Sequence, residues 1–320
     1  MSKEINKWLS SLEGYSFSDI QQINSDASFR NYFRVIDDRK GSFIVMDSDP
    51  SLENNEKFLY VADLLKKISM PIPNIHHIDD SGRYFLISDL GKKTLYNHRR
   101  ESHFLSFYDR AIELLVLMQI NGARLKIQLP SYDDASLYSE MELFKEWFCF
   151  HELGLSVQKI EKIDFDTLFM QLIQSASNQE RVLVHRDYHS RNIIISDDDE
   201  MGFIDFQDAV SGPITYDIVS LLKDCYIKIE PEQMNNMLRI YYDYLIKNHM
   251  TNKPLSEFIM DFDLMGIQRH LKAIGIFSRL KHRDKKNNYI NDIPLTMGYL
   301  KHLGNQYESL KDVLIQLKLK

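Results

Sequence analysis

Val182 to Phe206 reads VLVHRDYHSRNIIISDDDEMGFIDF, and this stretch decides the fold. An apolar β-type run, Val182-Leu183-Val184, breaks into His185-Arg186-Asp187, and four residues separate Asp187 from Asn192. Ile193-Ile194-Ile195 follows, then the acidic turn Ser196 to Glu200, then Gly202-Phe203-Ile204 ending on Asp205. Two short β-rich runs joined by a compact polar connection predict an antiparallel hairpin. Such a hairpin brings Asn192 and Asp205 side by side, and the preceding loop delivers Asp187 to the same end.

That arrangement suits phosphoryl transfer, which needs Mg²⁺ at the nucleotide phosphates and a group to receive the proton of the attacking hydroxyl. Asn192 and Asp205 offer hard oxygen ligands for Mg²⁺, which keeps several of its waters. Asp187 is the candidate base. H-R-D-x-x-x-x-N followed by a strand and D-F is the catalytic-loop spacing of protein kinases. HRD alone would be read as a solvated loop with a capping aspartate, and the chain contains such a control. At His282-Arg283-Asp284, Tyr289 stands where the asparagine belongs and no strand-turn-strand follows, so this second HRD is rejected.

HRDYHSRN, then DFQD, then GPITYD at Gly212 to Asp217, resembles the aminoglycoside-phosphotransferase-like family of small-molecule kinases. The resemblance implies an α+β fold of the bilobal protein-kinase-like kind, with a β-rich N-lobe and a mostly helical C-lobe. Three stretches are closer still to the bacterial anomeric kinases of N-acetylmuramate and N-acetylglucosamine in cell-wall recycling. They are Ser25 to Val35, His185 to Asn192 with Asp205 to Tyr226, and Phe262 to Asp284. This implies an ATP- and Mg²⁺-dependent sugar kinase acting on the anomeric hydroxyl. The alternatives are a kinase of another small alcohol or aminoglycoside, or a nucleotide-binding pseudokinase regulator.

Residues 1–90 are expected to form the nucleotide-binding N-lobe and 91–320 the catalytic and acceptor-binding lobe. Gln21 to Ile23, Phe29 to Ile36 and Ser42 to Met46 read as three strands after an amphipathic helix at 2–13. The turn Ser25-Asp26-Ala27-Ser28 contains no glycine, so backbone N–H groups and the Ser25 and Ser28 hydroxyls are its phosphate contacts. The third strand, Phe43 to Asp47, lacks the lysine that holds the α- and β-phosphates in kinases. Arg30 and Arg34 are the nearest substitutes; alternation puts them on one face with Tyr32, and a solvent-facing arginine edge is the other reading. The helix Leu52 to Met70 offers Glu53 or Glu56 as a partner for a basic residue, or as part of a solvated face. A hairpin at Asn74 to Ser88 leads to Asp89-Leu90-Gly91 as the hinge, where main-chain groups of Ser88, Asp89 and Leu90 would meet adenine.

Beyond the hinge the pattern is helical: Phe104 to Asn121, Leu137 to Leu153, Phe165 to Ser177, Ile218 to Ile227, Glu232 to Lys247, Ser256 to Lys281 and Ile293 to Lys318. By the resemblance, Asp217 braces the catalytic loop through its backbone. His189 and Arg191 either touch substrate or pair with neighbouring acids. Between Gly266 and Lys286 nine cationic or imidazole side chains, Arg269, Lys272 and Arg279 among them, face a single acid, Asp284. This basic island favours an anionic acceptor over cationic aminoglycosides or choline; a solvated helix face is the alternative for each member.

Composition sets outer limits. Apolar residues make up 44% and charged residues 27% of 320, ordinary for a globular protein. A net charge of −7 argues against a nucleic-acid partner. Two cysteines without a CxxC, no apolar leader and no span-length apolar run predict a cytoplasmic protein with no membrane association. The expected partner is a small-molecule sugar, and no obligate protein partner is implied.

Overall fold

The computed structural model describes residues 3–23 and 29–319. Along the chain run α1 (Lys3–Ser11), β1 (Phe17–Ile23), β2 (Asn31–Asp37), β3 (Gly41–Asp47), α2 (Asn55–Lys67), β4 (Ile75–Ile78), β5 (Tyr84–Ser88) and β6 (Lys93–Thr94). Then come α3 (Phe104–Arg124), α4 (Asp134–Leu143), a π-helical segment Phe144–Glu152, α5 (Val157–Ile160), α6 (Phe165–Ser177), β7 (Arg181–Val184), β8 (Ile193–Ile195), β9 (Met201–Phe203) and β10 (Val210–Pro213). The remainder is helical: α7 (Tyr216–Leu222), α8 (Pro231–Lys247), α9 (Leu255–His282), α10 (Ile293–Leu303) and α11 (Glu308–Gln316).

The chain divides into two compact units, Met1–Thr94 with Ile193–Asp208, and Leu95–Asn192 with Ala209–Lys320. Around the expected hinge the division crosses the chain at Thr94, and the β8–β9 hairpin joins the first unit. There an antiparallel sheet runs in the order β1-β2-β3-β5-β4. Burial alternates along β2. Phe33, Val35, Phe43, Val45 and Leu86 pack under Ile5 and Leu9 of α1, so Tyr32 and Arg34 belong to the opposite face. Asn54 caps α2 by accepting from Lys57 N.

The predicted hairpin is present, with Ile193 opposite Phe203 and Ile195 opposite Met201. Two contacts fix it in the first unit. Phe203 N–H donates to Pro71 O at 2.8 Å, and Gly202 leaves room for Leu90, whose Cδ1 would lie 2.6 Å from a Cβ there.

In the second unit α9 is the central helix, buried along most of its length among α4, α6, α7 and α10. Three helices depart from expectation. The stretch predicted as one helix from Leu137 to Leu153 widens to π geometry at Phe144, and Leu153 N–H reaches Phe148 O at 2.8 Å. The segment from Ile293 breaks at Gly304 into α10 and α11. The helix expected over Ile218–Ile227 stops at Leu222, because Asp224 instead takes the Tyr226 N–H at 2.8 Å.

Gly275 sits where α9 meets the start of the π segment. A Cβ there would lie 2.5 Å from the Leu143 carbonyl carbon and 2.7 Å from Phe144 N, both backbone atoms that cannot swing aside. Gly275→Ala should therefore lower stability by about 1–3 kcal/mol in denaturant unfolding, as overpacking does, despite alanine's better helix propensity. An unchanged or higher midpoint would mean that the two helices do not approach so closely.

Candidate active site

The loop carrying Asp187 is suspended between two buried carboxylates. Asp217, on the first turn of α7, accepts the N–H of His185 at 2.6 Å and of Arg186 at 3.0 Å. Asp224 accepts the N–H of Ser190 at 2.9 Å. Between them Tyr188 is fully buried and donates its hydroxyl to Ala111 O at 2.7 Å. Arg186 lies at φ 77°, a left-handed conformation that costs a non-glycine residue about 1–3 kcal/mol and persists only where its surroundings impose it. Asn192 Nδ2 donates to the Asp187 carbonyl at 3.1 Å, which closes the loop and turns the amide oxygen away from it.

Asp187 opens onto a cavity walled also by His189, Ser220, Cys225, Tyr226, Arg269, Lys272 and Phe277. Thus Asp187, His189, Arg269 and Lys272, each singled out in the sequence, share one space. Burial alone would raise the Asp187 carboxyl, but Lys272, His189 and Arg269 hold it below the usual carboxylate value. His189 Nδ1 is buried and has no hydrogen-bond partner among the described residues; its ring meets Tyr226 edge-on at 5.3 Å. Arg269 is 7% exposed, lies 5.1 Å from the Tyr216 ring centre and reaches Arg186 O at 3.5 Å, while its Nε is buried without a hydrogen-bond partner among the described residues.

Two expected substrate contacts sit elsewhere. Arg191 stacks on Tyr226 at 3.6 Å and faces Asp292 at 3.4 Å, and Arg279 is not among the cavity's walls. The basic island is also less basic in space than in sequence. Glu140 of α4 neutralises Lys272 at 3.1 Å and pairs with Arg186, Glu152 takes Lys281 and His282, and Asp284 takes Arg283. The second HRD is therefore an ion-paired helix end.

In the first unit Arg34 is held by the Asp89–Gly91 segment: its Nε and Nη2 donate to Asp89 at 2.5 and 3.0 Å, and Nη2 also to Gly91 O at 2.9 Å. Ser42 adds a hydroxyl to Asp89, and Ser88 Oγ pairs with His76 at 2.9 Å. Arg34 and Asp89, both expected to face the nucleotide, thus satisfy one another through their side chains. Arg30 is 2% exposed and lies 3.4 Å from Glu53, so neither is a solvated edge. Asp205, at φ 64°, accepts from Gln207 Nε2 at 2.8 Å. Ser25 and Ser28 lie outside the described residues.

A family model described as the phosphotransferase enzyme family matches residues 19–248. The chain belongs to this family. A relative from Pseudomonas putida, named N-acetylmuramate/N-acetylglucosamine kinase, is 38% identical over 91% of this chain and 85% of its own. A protein of the same name from Pseudomonas aeruginosa is 35% identical over 93% and 90%. Among solved structures, an ADP-bound aminoglycoside phosphotransferase superposes with a TM-score of 0.62 at 16% identity, covering 99% of both chains. The phosphotransferase thus has the kinase-like α+β fold, and it is an enzyme of the kinase class. Residues the sequence did not single out are Glu140, Tyr216, Tyr226 and Asp224. The last was within reach, as an aspartate closing a buried helix seven residues after Asp217; the others carry no local signal.

Lys272→Met should move the acidic limb of the phosphotransferase's pH–rate profile. As the expected base, Asp187 would work ionised, and its depressed pKa keeps that form populated as pH falls. Removing the adjacent cation raises the pKa, so activity should fail at a higher pH than in the wild type. An unmoved limb would show that Lys272 does not act on Asp187.

Proposed function

We propose that this phosphotransferase transfers the γ-phosphoryl group of ATP to the anomeric hydroxyl of N-acetylmuramate and N-acetylglucosamine. The observation carrying this reading is Asp187 on the wall of a cavity shared with Arg269 and Lys272, in a chain whose relatives are named as kinases of these two sugars. Asp187 receives the hydroxyl proton, and the two cations keep it ionised and ready to do so. His189, with its buried Nδ1, orients the sugar ring.

Asn192 and Asp205 are the residues that would hold Mg²⁺. The donor set suits that ion: an amide and a carboxylate offer hard oxygens, and Mg²⁺ is usually held by one or two protein oxygens together with nucleotide phosphates. When bound, the ion would neutralise charge on the phosphates. Main-chain groups of Ser88 to Leu90 receive the adenine. Cys149 and Cys225 are buried and unpaired, as suits a cytoplasmic protein, and no helix among the described residues is long and apolar enough to cross a membrane.

With both sugars supplied, ATP turnover should yield an acid-labile sugar 1-phosphate. Turnover of choline or an aminoglycoside with neither sugar accepted would refute the substrate assignment. In the same assay Asp187→Asn should lower kcat by roughly 10²–10⁴-fold, the usual worth of a positioned general base. Activity within a few-fold of wild type would remove Asp187 from the mechanism.

The two sugars differ by a lactyl ether bearing one carboxylate, so together they isolate a single charge. Lys272 is compensated by Glu140, which leaves Arg269 as the stronger anion receptor. Arg269→Ala should cost N-acetylmuramate about 10- to 150-fold in kcat/KM, equivalent to roughly 1.5–3 kcal/mol for a charge-assisted hydrogen bond. N-acetylglucosamine should be nearly indifferent. Equal losses for both sugars would assign Arg269 to the loop instead of the carboxylate.

A further inference from the structure

The third strand, Gly41–Asp47, carries no lysine, yet a kinase needs a cation at the nucleotide's α- and β-phosphates. We propose that Arg30 is that cation and that Glu53 is its positioning residue. The inference rests on the kinase reading above and goes beyond it by naming the phosphate contact.

Arg30 lies just before β2, with its guanidinium in a built setting. Its Nε donates to Ser48 Oγ at 3.2 Å, its Nη2 lies 3.4 Å from Glu53, and its plane sits 5.5 Å from the Phe58 ring centre. Ser48 is itself oriented by Asn55, whose Oδ1 accepts its hydroxyl at 2.5 Å. A cation 2% exposed is expensive to keep, and three surrounding side chains fix where it points. A guanidinium can bridge a carboxylate and a phosphate at once, because its five N–H groups diverge in a rigid fork.

The same setting converges on Asp205. Phe206 stacks on Phe58 at 5.3 Å and 16°, and Asp208 pairs with Lys57 at 2.6 Å. The bed of Arg30 and the turn after Asp205 are therefore one packed piece. Asp205, which would hold the ion, precedes the turn packed against Arg30's bed. Arg34, the other arginine on this strand segment, binds Asp89 and Gly91.

The decisive measurement compares adenosine with ADP by calorimetry, because only ADP reports on phosphates. Arg30→Met should weaken ADP by about 10- to 150-fold, the range for one charge-assisted hydrogen bond, and leave adenosine within about threefold. Arg30→Lys should recover part of the ADP affinity. Arg34→Met should weaken both ligands alike, since it braces the hinge. Equal loss of adenosine and ADP in a folded Arg30→Met, or no loss of either, overturns the proposal. If Arg30→Met does not fold by circular dichroism, the ratio of ADP to adenosine affinity is read on Arg30→Lys and Glu53→Gln. A lowered ratio supports the assignment and an unchanged one overturns it. A wild-type protein that binds neither ligand would refute the kinase reading itself.

Discussion

The interaction on which the second unit's chemistry depends is the pair of backbone hydrogen bonds to Asp217. At 2.6 and 3.0 Å from the N–H groups of His185 and Arg186, its carboxylate takes two donors that the end of β7 would otherwise leave buried and unsatisfied. Burial pushes the Asp217 carboxyl up to about 7, while the two N–H bonds pull in the opposite direction. The carboxylate in turn holds Arg186 left-handed at φ 77°. With its backbone fixed there, and with Asp224 fixing Ser190 from the far side, the Asp187 side chain has little freedom left to lose when substrate arrives. If Asp187 is the base, as proposed, its aim is set in advance and the barrier falls because the ordering has been done during folding.

The same loop explains the charge balance of the cavity. Cations favour the ionised form of the half-buried Asp187, yet several uncompensated cations would repel one another. Glu140 settles this by accepting Lys272, Arg186 and the Tyr132 hydroxyl at one carboxylate. Its own ionised form is favoured by those cations against the cost of burial. Arg269, which packs against the Tyr216 ring, is left as the proposed receptor of an anionic substrate. For such a role one oriented guanidinium serves a single carboxylate better than a diffuse positive field.

Much of this was legible in the sequence. The hairpin at 193–203, the asparagine and aspartates around it and the helical second half were read from local pattern, because turn chemistry and apolar spacing are local properties. Phe165–Ser177 was placed to the residue. The π segment was not foreseen, since Phe144 to Glu152 carries ordinary helical spacing and its widening is set by the backbone approach of Gly275 from more than a hundred residues away. The break at Gly304 had a local signal, glycine followed by asparagine, that an otherwise apolar periodicity outweighed.

The site divided along the same line. The groups expected to act on phosphate come from one short stretch, because a base and metal ligands on a loop-and-hairpin must keep fixed spacing; that geometry is written as H-R-D-x-x-x-x-N. The groups that balance charge around the acceptor are gathered from α4, α7 and α9, where any acid or aromatic side chain at a suitable turn would serve. Spacing then carries no information, and a run of cations such as 269–286 looks uniform although its members have different partners. Arg30 and Arg34 illustrate the point most sharply. They are four residues apart and equivalent by alternation, yet one is locked to Asp89 and the other is buried against Glu53. Only the partners distinguish them, and the partners lie 55 and 23 residues further along the chain.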